Sequence, residues 1–218
     1  MKHVLVLALC CVCSLSLKAQ KDDFKVGVFF NPTYSDRFNV KEDLLRDRFV
    51  GDYAYSVGIF VQKQIARSFD VRFGMSFVNN GERFKRAVDN NSGFIEPVPP
   101  LRSNDFQIIS DFYNLEAPID IQWFMNKKRN FFTIFGVSPS YSISKSAVID
   151  LDNNGSPRTF KTGGDNGIAL ALEIGMGYRK ALNQNLLLEI QPKFRYYITK
   201  IDNSRAMYNA GLQMSMIF

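Results

Sequence analysis

The side chains able to do acid–base or ion-binding chemistry stand at alternating positions among apolar residues. Five carboxylates (Asp70, Glu116, Asp120, Glu173 and Glu189) and five bases (Lys25, Arg72, Arg179, Lys193 and Arg195) fall in this pattern. Three chemistries fit such a set. Matched opposite charges facing one interior would form a salt-bridge plug, because buried charges persist only when paired and hydrogen-bonded. The same pairs could gate a narrow ion or proton path. Glu116 and Asp120, on one strand, could approach each other as a paired-carboxylate hydrolase would require, but a substrate has no room to reach them. The plug is the expectation, and the ten residues are expected to form one network. Asp150-Leu151-Asp152-Asn153-Asn154-Gly155 resembles the opening of a calcium loop, but the twelfth position, which needs a bidentate Glu, is Lys161. It reads as a turn, as does Asp89-Asn90-Asn91-Ser92-Gly93. No metal or cofactor is expected.

Cysteine and histidine chemistry ends almost where the chain begins. His3, Cys10, Cys11 and Cys13 are the full complement of both types. They lie in a segment with a charged start (Lys2, His3), an uncharged run from Val4 to Leu17, and the small residue Ala19 ahead of Lys21-Asp22-Asp23. This reads as a secretory signal peptide, residues 1–19, cleaved after Ala19. The run is too short for a transmembrane helix, which needs about 20 apolar residues. A lipoprotein signal is the rival reading, but Leu9, Cys10 and Val12 precede the cysteines where a small residue is wanted. Residues 20–218 then form one domain without thiol or imidazole. Zinc sites of Cys/His type, disulfides and Ser-His-Asp catalysis are excluded from it.

The elements that position the charges come from a period of two. The chain has 46% apolar residues, including 20 Phe and 9 Tyr, with a net charge of +6 and a mean hydropathy of −0.13. Disorder and multi-span helical membrane folds are disfavoured by that balance. Tyr208, Ala210, Leu212, Met214, Met216 and Phe218 alternate with Asn209, Gly211, Gln213 and Ser215. Similar alternation marks seven more segments, around 24–31, 53–62, 69–77, 113–123, 135–143, 168–179 and 186–198. The apolar faces together carry more large side chains than the interior of an eight-stranded barrel can hold. The polar faces are rich in Gly, Ala and Ser. The apolar face therefore points outward into lipid. The expected fold is all-β, an eight-stranded antiparallel up-and-down transmembrane β-barrel. A soluble secreted ligand-binding barrel with the faces reversed is the alternative from another class.

The gaps alternate in length. Tyr34–Asp52, Asn79–Phe112 and Lys145–Gly167 are long, whereas Lys63–Ser68, Asn126–Asn130 and Lys180–Asn185 are short. Short turns in such barrels face the periplasm, with both termini, and the long connections face outward. Tyr53, Tyr55, Tyr113, Tyr141, Tyr196 and Tyr208 would form an outer aromatic girdle, and Phe24, Phe69, Trp123, Tyr178 and Phe218 an inner one. Pro118, Pro139 and Pro192 sit inside predicted strands, where a closed barrel has no edge for a missing N–H; bulges are expected there. Phe94-Ile95-Glu96-Pro97-Val98-Pro99-Pro100-Leu101 is an apolar, proline-stiffened external segment suited either to docking a protein partner or to folding over the barrel mouth. Lys127-Lys128-Arg129 in a short turn reads as solvated, or as touching lipid phosphates. No basic stripe with stacking aromatics suggests nucleic acid.

Three stretches carry a family resemblance: Val57-Gly58-Ile59-Phe60 with Ser68 to Phe77; Tyr113-Asn114-Leu115-Glu116-Ala117-Pro118-Ile119 followed by Phe135-Gly136-Val137-Ser138-Pro139; and the terminal Phe218. The sequence resembles the outer-membrane β-barrel domain family of Bacteroidota, often labelled PorT-like. Ala117 stands where that family usually has a branched residue. The resemblance implies an outer-membrane location, with membrane lipid as surroundings and Phe218 as the signal read by the barrel-assembly machinery. It implies no particular reaction. One branch of the family assists protein secretion, and nothing in these residues singles that branch out. The function expected is a non-enzymatic outer-membrane barrel, surface-binding, structural or accessory to secretion, with a narrow ion or small-solute channel as the alternative.

Overall fold

The computed structural model describes residues 24–37, 49–86, 106–151, 158–163, 167–199 and 207–218. The signal-peptide reading and the Phe94–Leu101 segment lie outside them. Among the described residues there are ten strands: β1 (Phe24–Arg37), β2 (Phe49–Ala66), β3 (Phe69–Arg86), β4 (Phe106–Glu116), β5 (Ile119–Phe124), β6 (Phe131–Leu151), β7 (Arg158–Gly163), β8 (Ile168–Ala181), β9 (Leu187–Tyr197) and β10 (Met207–Ile217). They make eight staves. β4 and β5 are one stave interrupted at Ala117-Pro118, since both pair β3 on one side and β6 on the other. β7 continues the line of β8 along β6. Every pairing is antiparallel, and β1 pairs both β2 and β10, which closes the barrel.

The faces are set by the alternation. Leu212, Met214 and Ile190 are 45%, 41% and 42% exposed, whereas Gln213, Ser215, Glu189 and Gln191 on the opposite face are 3% exposed or less. Oily side chains thus face outward, and the reversed soluble barrel is ruled out. Aromatic rings pair across strands at both ends of this belt. At the short-turn end Phe69 stacks on Trp123 and Phe131 meets Tyr178. At the other end Phe77 stacks on Tyr113 and Phe194 on Tyr208.

Three features differ from the sequence expectation. First, parts of the long connections are strand. The β3–β4 ladder runs out to Arg86↔Phe106 and the β4–β6 ladder to Phe106↔Leu151, with β7 added beside β6. Beyond Asn79, level with Tyr113, β3 continues for roughly 24 Å of strand at the usual rise per residue. On the opposite side β9 stops at Tyr197 and β10 starts at Met207. Among the described residues the barrel therefore has a raised wall on one side of its rim.

Second, the prolines do not sit at bulges. Pro139 and Pro192 keep register with Leu170 and Leu212. Pro118 lies in the gap between β4 and β5, across which the register to β3 and β6 is unchanged. Antiparallel hydrogen-bonded pairs exchange two bonds. At these sites one survives: Gly74 donates to the Pro118 carbonyl at 2.8 Å, and Ala117 to the Pro139 carbonyl at 2.9 Å. Each proline costs a single rung, and no register shift is needed. The shifts that do occur lie at Gly51/Tyr55, Gln64/Ala66 and Tyr113/Asn114.

Third, the interior is partly apolar. Phe29, Phe60 and Ile217 cluster inside near one end. Phe124, Phe132 and Ile134 form a second cluster, and Phe112, Ala169, Ala171, Tyr197 and Met207 a third. These residues fall on the polar face of the alternation and fill the space between the charged groups.

Candidate functional site

The barrel register places opposite charges across from one another. In β8 and β9, Arg179 faces Glu189 and Glu173 faces Arg195. Arg72 of β3 faces Asp120 of β5 and Gln62 of β2. Nine of the ten residues singled out by sequence are buried in the lumen, each 7% exposed or less. Lys25 is not; it is exposed at the short-turn rim and makes no ion pair among the described residues. Its position next to the strand end explains this, because a side chain there reaches water more readily than the lumen.

The nine divide into two clusters. In the cluster nearer the short turns, Glu189 accepts from Arg179 Nε at 2.6 Å, from Gln122 Nε2 at 3.2 Å and from Arg72 Nη2. Gln122 Oε1 in turn accepts from Arg72 at 3.1 Å and Arg179 at 2.8 Å. Asp70 receives Gln62 Nε2, Arg179 Nη1 at 3.5 Å, and Arg129 Nη2. Arg72 packs over the Phe60 ring, and Arg179 over Phe124. Planar guanidinium groups suit this arrangement, since one fork can meet a carboxylate while its face lies on a ring.

Arg129 was not among the predicted site residues. It sits in the turn between β5 and β6, where it adopts a left-handed backbone with φ 54°. Its side chain turns back over Phe124 (4.1 Å) and donates to the Arg67 carbonyl at 2.7 Å as well as to Asp70. No sequence signal marks it, since the left-handed backbone appears only in the structure, where its side-chain contacts offset the cost of that conformation.

In the second cluster Arg195 bridges two carboxylates: Nε and Nη2 reach Glu173 Oε1 at 2.7 and 2.6 Å, and Nη1 reaches Glu116 Oε2 at 2.7 Å. Lys193 Nζ pairs with Glu173 Oε2 and lies 4.0 Å from Asp120 Oδ2. Glu116 also accepts from Tyr197 Oη at 2.6 Å and Ser138 Oγ at 3.3 Å. Tyr197 Oη accepts from Asn80, which itself accepts from Asn209. Gly136, opposite Asp120, leaves the space that Asp120 Oδ1 fills; a Cβ there would overlap it. Between the clusters lies a cavity of about 10 Å³ lined by Arg72, Asp120, Lys193 and Gln213 among others, room for about one water.

Chemically, the five lumen carboxylates singled out by sequence are each engaged by a base, while Asp120 Oδ1 and both polar atoms of the Gln191 amide are buried without a hydrogen-bond partner among the described residues. Glu116 and Asp120, the candidate hydrolytic pair, are engaged by Arg195, Tyr197 and Lys193, and both are buried. No group of three or more metal-ligating side chains occurs among the described residues.

Among solved structures, the chain is similar to Neisserial surface protein A (17% identity; 90% of this chain and 96% of that one covered; TM-score 0.42). It is also similar to Ail, the attachment invasion locus protein of Yersinia pestis (10% identity, 89% and 96% covered, TM-score 0.45), and to the outer membrane protease OmpT of Escherichia coli (9% identity, 90% and 95% covered, TM-score 0.46). No curated protein matches the chain significantly. The model of the outer membrane protein beta-barrel domain family matches residues 18–202. With its closed antiparallel barrel and lipid-facing apolar belt, the chain belongs to the outer membrane protein β-barrel domain family and is a protein of the bacterial outer membrane.

Proposed function

We propose that this chain is a non-enzymatic outer-membrane barrel of the PorT-like type. In this reading the charge network of Asp70, Arg72, Glu116, Asp120, Glu173, Arg179, Glu189, Lys193 and Arg195 seals the lumen. The work is done at the long-connection end, facing outward, by binding a partner, supporting the surface or assisting secretion. The short turns and both termini face the periplasm. Phe218 is the assembly signal; its ring faces lipid and its N–H closes the last rung onto the Val26 carbonyl at 2.8 Å.

The observation that carries this reading is the filled interior. The cavity between the two ion clusters has room for about one water, and Asp70, Glu116, Asp120, Glu173 and Glu189 each lie within ion-pair distance of a base. A hydrated ion passing through would have to break several buried pairs. The raised wall of β2, β3, β4, β6 and β7 supports an outward-facing role, since it is ordered structure beyond what spanning the membrane requires. Planar-bilayer recording tests the proposal. Purified protein is expected to give no steady conductance. Stable unitary pores would overturn the sealed lumen and favour the narrow channel.

A further inference from the structure

At the short-turn end the described residues expose six bases and no acidic side chain: Lys25, Lys63, Arg67, Lys127, Lys128 and Lys180. The two acids at this end, Asp70 and Glu189, are buried and already paired. These bases are placed at the level where lipid headgroups begin. Lys63 is on the lipid-facing side of β2, in step with Val57, Ile59 and Val61, and its Nζ lies 4.5 Å from the centre of the Phe24 ring. Lys180 continues the lipid-facing row of Ile174, Met176 and Tyr178 on β8. Tyr178, Phe24, Phe69 and Trp123 form the aromatic girdle immediately beside them. Long basic side chains in that position lay their stems along apolar surface and carry the charge to the headgroup plane. The turn bases Arg67, Lys127 and Lys128 extend the same charge around the mouth.

We propose that this end is a docking surface for anionic phospholipid headgroups, with Lys63, Lys180 and the turn bases engaging phosphate oxygens just beyond the aromatic girdle. Radially placed lysines beside lipid-facing rings favour lipid over a soluble acidic partner, which would approach along the barrel axis. The proposed orientation enters only in naming the leaflet, the periplasmic one. A failure here leaves the sealed lumen untouched, and conducting pores would leave this inference untouched.

The test uses the folded protein in phosphatidylcholine vesicles containing spin-labelled phosphatidylglycerol or spin-labelled phosphatidylcholine. A base at an anionic surface contributes about 1 kcal/mol, about a fivefold preference. The expected result is a severalfold enrichment of phosphatidylglycerol around the protein. It should fall below about twofold near 1 M salt, where the Debye length is about 3 Å. The triple variant Lys63→Gln/Lys128→Gln/Lys180→Gln should lose the preference, and the matching Lys→Arg variant should keep it. Retention of the barrel is checked by the mobility difference between unboiled and boiled samples. The salt titration on the unaltered protein decides the matter even if the Gln variant does not fold. Equal affinity for both lipids, or a preference indifferent to salt, would overturn the proposal. Binding of soluble polyglutamate without any lipid preference would also overturn it, in favour of an acidic periplasmic partner.

Discussion

Glu189 offers the sharpest test of the sealed lumen. It is fully buried and accepts from Arg72, Arg179 and Gln122. Glu189→Leu introduces an apolar side chain of similar size and strands two guanidinium groups, themselves 2% and 7% exposed. Removing one partner of a buried ion pair costs about 3–5 kcal/mol, because the remaining charge cannot recover its hydration. Asp70 can still take up Arg179, which lies 3.5 Å away. Arg72 has no second carboxylate within ion-pair distance among the described residues. The lower half of the range is therefore expected, about 3 kcal/mol. The double variant Glu189→Leu/Arg72→Met removes the stranded charge together with its partner and should be less destabilised than Glu189→Leu alone. The assay is reversible urea unfolding in vesicles. Trp123, the chain's one tryptophan, is 45% exposed on the lipid face and reports transfer out of the bilayer. With a urea slope of about 1–3 kcal/mol/M, the midpoint should fall by roughly 1 M or more. A loss below about 1 kcal/mol for Glu189→Leu would refute the reasoning, since only a hydrated lumen could screen the two arginines so well.

Three further outcomes are expected. Met214→Arg puts a charge in the middle of the lipid-facing belt and should cost roughly 2–4 kcal/mol. Gln213→Glu, one residue away but facing the lumen with its oxygen 3.4 Å from Lys193 Nζ, should cost far less; equal urea midpoints would contradict the face assignment. Gly136→Ala should displace Asp120 from its place near Lys193 and cost about 1–3 kcal/mol as overpacking, and an unchanged midpoint would mean that Asp120 is not held there. Pro118→Ala restores a donor facing the Gly74 carbonyl. Its gain of about 0.5–1.5 kcal/mol is offset by about 0.4–1 kcal/mol of added freedom in the unfolded chain, so stability should change little, and a loss above about 2 kcal/mol would show that the proline shapes the stave.

The barrel was legible in the sequence because a period of two assigns faces without knowledge of the partners. Glu173/Arg195 and Arg179/Glu189 were legible as charges, and their pairing was readable as well: they stand symmetrically about the short connection between β8 and β9. The apolar clusters inside were hidden. Phe29, Phe60, Phe132 and Tyr197 each adjoin an outward-facing apolar residue, so both faces read as oily at those points and the alternation blurs. The division into two clusters depends on how staves distant in sequence stack across the lumen, and no local spacing encodes that. Arg129 escaped because a basic residue in a short turn resembles its solvated neighbours Lys127 and Lys128 until the backbone angle is known. The strand extensions beyond the rim were read as connections because their apolar residues do not alternate: Ile108 adjoins Ile109 and Val148 adjoins Ile149, while Asn79-Asn80-Gly81-Glu82-Arg83 is a polar run.

The pairing of β1 with β10, from Gly27↔Ile217 to Arg37↔Met207, joins the first and last of the described strands. Until β10 emerges, β1 holds a row of unmated amides and carbonyls that hydrocarbon cannot tolerate. Unaided insertion of one hairpin at a time would leave that row bare in hydrocarbon. That row must therefore be matched, by β10 or by another strand edge, wherever it meets acyl chains.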